Sequence, residues 1–229
     1  MESAHRKLLK NPRKSASWMS VLFFGWTIPL FKQSYQRDAL HPNDVFEPLE
    51  EDQSDRLGDR LETNWKSELK LQSCPLLLRS MFKTFWHELL LLGVLYFFQH
   101  CVCRPIYPFL LKGFLSYFRD NSEVSFHEAR NYGVGLFILS ICTGIITFQY
   151  IYYRYYSGMK VRVAISSVIY RKALRLSQSA LSKTSSAKLV NLLSNDVQRF
   201  ECISQNELWV PPAASMVATY ILWNEIGWA

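Results

Sequence analysis

The chain has 229 residues but only nine glycines, and no two of them are adjacent. None begins the G-x-x-x-x-G-K-[ST] spacing whose backbone amides cradle nucleotide phosphates, so these residues carry no P-loop. The five cysteines, Cys74, Cys101, Cys103, Cys142 and Cys202, form no C-x-x-C pair and no set with histidine at metal-ligand spacing. Cys101 and Cys103 lie inside an apolar run, where they read as small hydrophobes. Proline is missing between Pro108 and Pro211, so no ring forces a helix to break in that interval. The N-terminus, MESAHRKLLKNPRK, is basic but lacks an apolar core and a small-residue cleavage site. It does not read as a signal peptide.

What is present is concentrated apolar mass. Hydrophobic residues make up 49% of the chain and aromatics 15%, with 20% charged. The length allows one large domain or two small ones. Three apolar segments run from about Leu89 to Leu111, Tyr132 to Tyr156 and Leu208 to Ala229. The first two reach the roughly 20 residues needed to cross a bilayer. The third has 16 residues before Asn224 and carries Pro211-Pro212 near its start. Phe, Tyr and Trp at the margins fit an interfacial belt. The expected spans are about 88–112, 131–157 and 208–229.

The net charge of +7 admits nucleic acid, an anionic membrane surface or an anionic ligand. The basic residues border the spans, which argues against nucleic acid. Lys160, Arg162, Arg171, Lys172 and Arg175 follow the second span, whereas 117–130 is balanced in charge. Because positive loops stay inside, the N-terminus and 158–207 are expected to be cytoplasmic, in a multi-pass protein of the plasma membrane.

The stretch FQYIYYRYYSGMKVRV, residues 148–163, passes from aromatic to cationic with only Gly158 between. Apolar residues continue beyond it at helical spacing through Val161, Ile165, Val168, Ile169 and Ala173. A single helix from about Asn131 to Leu176 would be about 68 Å long. The hydrocarbon core is about 30 Å, so the rest must project from the membrane as an amphipathic rod. Residues 158–207 then read as a helical hairpin. Its tip lies near 182–188, and Ser185 or Ser186 caps the returning helix.

The first eighty residues differ. SWMSVLFFGWTIPLF, residues 17–31, is too short to span and reads as an interfacial segment. LGDRLETNWKSELK reads as a short exposed helix whose charges form a solvated face.

SWMSVLFFGWTIPLFKQSYQRDALHPNDVF, GMKVRVAISSVIYRKALRLS and KLVNLLSNDVQRF, in that order, resemble three parts of the subfamily C ABC exporters, the multidrug resistance-associated protein family. These are the membrane-hugging lasso, the cytoplasmic extension of the second helix and the first intracellular loop. The resemblance covers essentially the whole chain and fits the short type. It implies an all-α membrane protein with a lasso over about residues 1–80. A partial ABC transmembrane domain follows over 81–229, containing the first two to three helices of the exporter, extended into the cytoplasm.

It further implies that Ser185, Ser186, Lys188 and Asn191 contact a nucleotide-binding domain. The family's turn there carries a glycine, whereas this chain has Ser186, Ala187 and Lys188. ATP and Mg2+ would be bound by domains outside these residues, since neither a P-loop nor a twin-glycine signature is present. Other expected partners are the lipid bilayer, the remaining helices of the parent transporter and amphipathic anionic substrates.

A charge inside a span faces a protein interior or an aqueous path. Arg104 therefore either lines the substrate pathway or pairs with a carboxylate on another helix. His100 shares that path, or, like Gln99, makes a helix–helix hydrogen bond. Phe148 and Tyr152 either form an aromatic wall for the ligand or serve packing. The resemblance implies ATP-driven efflux of organic anions and amphipathic conjugates. An ATP-gated anion channel of the same subfamily has the same layout, and a truncated regulatory product is the third reading.

Overall fold

The computed structural model describes residues 9–37, 46–71, 76–119, 124–176, 186–200 and 210–226. Two short helices open it, α1 (Trp18–Leu22) and α2 (Ile28–Arg37), followed by α3 (Ser54–Leu71). A long column comes next, built from α4 (Leu77–Phe98), a wide π turn (Gln99–Cys103) and α5 (Arg104–Ser116). The longest element is α6 (Phe126–Leu174). Beyond it lie α7 (Ser186–Asn191), a π turn, the single turn α8 (Val197–Arg199) and α9 (Val210–Ile226). Among the described residues the only strand-like pairing is an isolated parallel bridge between Leu9 and Phe46.

Helix α6 has 49 residues, about 73 Å at 1.5 Å per residue. Gly158 lies inside it without a break. A capping box opens the helix: the Ser125 hydroxyl accepts from the Glu128 backbone, and Glu128 accepts from the Ser125 N–H at 2.9 Å. The chain is an all-α membrane protein, with two helical stretches, Leu77–Ser116 and Phe126–Leu174, long and apolar enough to cross a bilayer.

The wide turn in the first column has a local cause. Pro105 and Pro108 cannot donate to the carbonyls of Cys101 and Arg104, and Pro105 sits in the first turn of α5. Backbone bonds are redistributed just upstream, where a π turn absorbs the mismatch.

The protein core lies at one end of the long helices, away from their most apolar stretches. Leu57 and Leu61 of α3 meet Met81 and Phe85 of α4, Val161, Ala164 and Ile165 of α6, and Val197 of α8. Gly58 allows α3 to approach α6 closely; a Cβ there would sit 2.5 Å from the Ser167 Oγ.

This corrects the expectation for LGDRLETNWKSELK. It lies in an 18-residue helix that is not simply exposed, because Leu57, Gly58, Leu61 and Glu68 are buried. Nor do its charges merely face water. Asp55, Asp59 and Glu62, one turn apart on α3, all engage Arg171 of α6, and Arg175 also reaches Glu62 at 3.5 Å. The carboxylates recur at the helical period, so they form one stripe, and α6 supplies its counterions.

Candidate functional site

A cavity of about 660 Å3 lies between the π turn, α5 and α9. His100, Arg104 and Lys112 line one side, and Ala214, Ser215 and Ala218 line the other. Small residues on α9 leave the room; cations on the facing wall give it positive potential. Arg104 is exposed, and no side chain among the described residues pairs with its guanidinium. The imidazole of His100 is held by its own helix: Nδ1–H donates to the Tyr96 carbonyl at 3.0 Å, and the ring lies 4.0 Å from that of Tyr96. Gln99 makes the interhelical bond, its amide donating to the Thr147 hydroxyl of α6 at 2.7 Å.

Phe148 and Tyr152 do not line this cavity. Phe148 is 66% exposed on the outer face of α6. Tyr152 is enclosed by the N-terminal segment, with Phe24 at 5.4 Å and Trp26 at 6.5 Å, both edge-on. The pathway residues named from the sequence thus fall into three places: Arg104 and His100 together at the cavity, Phe148 on the outer face of α6, and Tyr152 against the N-terminal strap, residues 9–37.

At the other end, α7 begins at Ser186, while Ser185 lies outside the described residues. Without the glycine, Ser186, Ala187 and Lys188 continue as helix, in keeping with the high helix propensity of Ala and Lys. Lys188 and Asn191 are exposed, and the Asn191 side-chain oxygen accepts from the Asn195 amide at 2.6 Å. Val197, one turn further on, is buried in the core. The exposed α7 is therefore carried on an anchored turn.

A third cluster was not foreseen from the sequence. The 3-10 turn Glu50–Asp52 delivers Asp52 to α6, where the Tyr156 hydroxyl donates to both carboxylate oxygens at 2.7 and 2.8 Å. Lys160, read from the sequence as a flanking cation, is buried. Its ammonium lies 3.6 Å from Asp52 and 4.0 Å from Glu88 of α4, and 4.6 Å from the centre of the Tyr156 ring. The guanidinium of Arg13 stacks over Tyr152 and Tyr156, at 5.2 and 4.9 Å. Gln149 donates to the Val21 and Leu22 carbonyls at 3.2 and 2.7 Å, which tethers the end of α1. The available signal was weak: an acidic run at 50–52, and Tyr156 and Lys160 four residues apart on one helix face.

Two partners fix the outer strap. Lys14 and Glu50 pair at 2.6 Å; their mutual hydrogen bond raises the lysine pKa and lowers that of the carboxylate.

Fold and cavity together define the membrane part of a transporter: long helices that overrun the bilayer, a cationic cavity between them and an exposed helical tip. The description "ABC transporter transmembrane region" matches residues 89–229. The mouse protein named ATP-binding cassette sub-family C member 4 is 36% identical over 99% of this chain and 18% of its own length. The human protein of that name is 34% identical over the same shares. A fruit-fly protein named probable multidrug resistance-associated protein lethal(2)03659 is 36% identical over 96% of this chain and 16% of its own. The chain belongs to the ABC transporter transmembrane-region family, in subfamily C. It spans less than a fifth of the length of these curated relatives.

Proposed function

We propose that this chain forms the lasso and first membrane helices of an ATP-driven exporter of organic anions and amphipathic conjugates. The observation that carries this reading is the cavity with His100, Arg104 and Lys112 on one wall and the largely apolar set Ala214, Ser215, Ala218, Ile221 and Leu222 on the other. An amphipathic anion matches both halves. An unpaired guanidinium in a low-dielectric setting attracts such an anion much more strongly than one in water. ATP and Mg2+ would be held by nucleotide-binding domains outside these residues. In this reading α6 and α7 carry force between membrane and engine, with Ser185, Ser186, Lys188 and Asn191 at the contact; residues 177–185 and 201–207 of the expected hairpin lie outside the described residues. The N-terminus lies in the cytoplasm and the membrane is the plasma membrane.

The test uses inside-out vesicles bearing the full-length transporter that contains this segment. Uptake of an anionic conjugate should require ATP. Arg104→Ala should raise KM about tenfold, the cost of one charge-assisted contact, and Arg104→Lys should recover part of the loss. Uptake unchanged in Arg104→Ala removes the role given to Arg104. An ATP-dependent anion current without concentrative uptake would replace the exporter with a conductance.

A further inference from the structure

An open cleft of about 430 Å3 lies between α3 and α4. Its basic side chains are Arg60 of α3 and Lys83 and His87 of α4, and no carboxylate among the described residues forms an ion pair with them. Asp59, the acidic residue on the wall, is engaged by Arg171 of α6, so its charge is already answered. One bond holds Arg60 in place, its guanidinium donating to the Thr84 carbonyl at 3.0 Å. That carbonyl lies one residue before Phe85, where α4 departs from helical dihedrals. Arg60 is exposed, and the rest of its fork of N–H donors is left for a ligand. Lys83 and His87 are exposed as well, four residues apart on one face of α4.

Beside these donors, α3 contributes neutral acceptors. The Thr63 hydroxyl donates its hydrogen to the Asp59 carbonyl at 2.8 Å, and the Asn64 amide donates to the Thr84 hydroxyl at 2.8 Å. Each of the two side chains keeps an oxygen that can accept. A bare phosphate would satisfy the basic groups alone. A phosphate carried on a ring of hydroxyls satisfies both sets.

The cleft also has a definite height. Trp86, half exposed, lies with its ring 3.6 Å from that of His87. It sits three residues before Leu89, where the first apolar stretch begins, the level at which aromatic side chains meet lipid headgroups. Beyond it, the exposed side chains of Leu90, Leu91 and Val94 continue along α4. Such a surface suits acyl chains, and anionic lipids gather on the cytoplasmic leaflet.

We propose that this cleft binds the headgroup of a phosphoinositide, a membrane lipid with a phosphomonoester on an inositol ring. The phosphomonoester lies against Arg60, Lys83 and His87, the ring hydroxyls donate to Thr63 and Asn64, and the acyl chains follow Leu90, Leu91 and Val94. Phosphatidylserine fits less well, because its ammonium meets a basic wall and it has no phosphomonoester to concentrate charge there. The inference rests on the cytoplasmic orientation proposed above and not on what the first cavity transports. Bound there, the lipid would tie α3 and α4 together at the membrane surface.

The full-length transporter, purified in detergent, is titrated with dioleoyl phosphatidylinositol monophosphate, dioleoylphosphatidylserine and soluble inositol bisphosphate, and bound ligand is counted by native mass spectrometry. The phosphoinositide should bind about tenfold more tightly than phosphatidylserine. Lys83→Gln with His87→Gln, changes at exposed positions, should abolish that preference and leave the melting temperature of the lipid-free protein unchanged. Lys83→Arg should keep the preference. Lys188→Gln with Arg199→Gln, which removes two exposed cations elsewhere, should keep it too. Equal binding of the two lipids by the unaltered protein overturns the proposal, as does an intact preference in the Lys83 and His87 double variant. The same loss in the Lys188 and Arg199 double variant means diffuse charge attraction and rejects the site. Soluble inositol bisphosphate binding as tightly as the lipid overturns the membrane origin of the ligand. The readout is taken in detergent, so it stands whether or not the orientation is as proposed, and labelling of intact cells tests that orientation separately.

Discussion

Gly58 shows how much one missing side chain contributes at this scale. The contact between α3 and α6 depends on two backbones coming within reach at one point, and a Cβ would meet both Oγ and Cβ of Ser167. Gly58→Val should destabilise the membrane domain by about 1–3 kcal/mol, as overpacking does, seen as a lower melting temperature of the purified transporter. Ser167→Gly in the same background should restore part of the loss, because it removes the atoms that clash. Polar contacts at this interface respond to pH in a fixed direction. The pKa of Glu62 is lowered, first by the hydrogen bond from Lys66, with Arg175 and Arg171 adding to it against partial desolvation. A carboxylate with a lowered folded-state pKa stabilises fully above the ordinary carboxylate range and loses that contribution as pH falls through its folded value. Thermal stability should therefore drop on acidification below the usual glutamate range, and Glu62→Gln should flatten that part of the profile.

Among elements, α6 was the most legible, and the strap contacts were the least. An uninterrupted 3.6-residue apolar pattern without proline is a local signal, and it led directly to a helix continuing through Gly158. The pairing of Asp52 with Tyr156 and Lys160 joins residues 104 or more positions apart, and no local period reports such a contact. Lys160 also illustrates how a flank rule misleads: it has the charge of a cytoplasmic cation and the burial of a core residue. The α3 carboxylates erred the other way, since only the fold shows that Arg171 lies opposite them. The tip helix α7 was foreseen as a contact surface, and its exposure invites a direct test. In the full-length transporter, Lys188→Ala with Asn191→Ala should lower the ratio of substrate-stimulated to basal ATPase several-fold. An unchanged ratio would detach these residues from coupling. The effect should reach the membrane through Val197, whose burial ties the tip to α3, α4 and α6.

At the scale of the molecule, the chain has two unlike surfaces. Around the apolar stretches, large side chains such as Leu90, Val94, Phe137 and Ile138 are exposed, as lipid and neighbouring helices require. Around the core, charged side chains answer one another. The boundary between them sets the expected topology. Ser122→Cys, between α5 and α6, should react with an impermeant maleimide on intact cells. Ser177→Cys, beyond α6, should react only after permeabilisation. The opposite pattern would invert the orientation derived from the basic flanks.

The π turn at Gln99–Cys103 also sets an angle. Each residue of an α-helix advances about 100° around the axis, and a π turn inserts roughly one extra residue into that count. Everything beyond it, Arg104 first, is turned by about that angle relative to the face that Leu91 and Val94 share. The two prolines thus act as a phase shifter. They let one helical column present lipid-compatible side chains in one direction and a guanidinium in another.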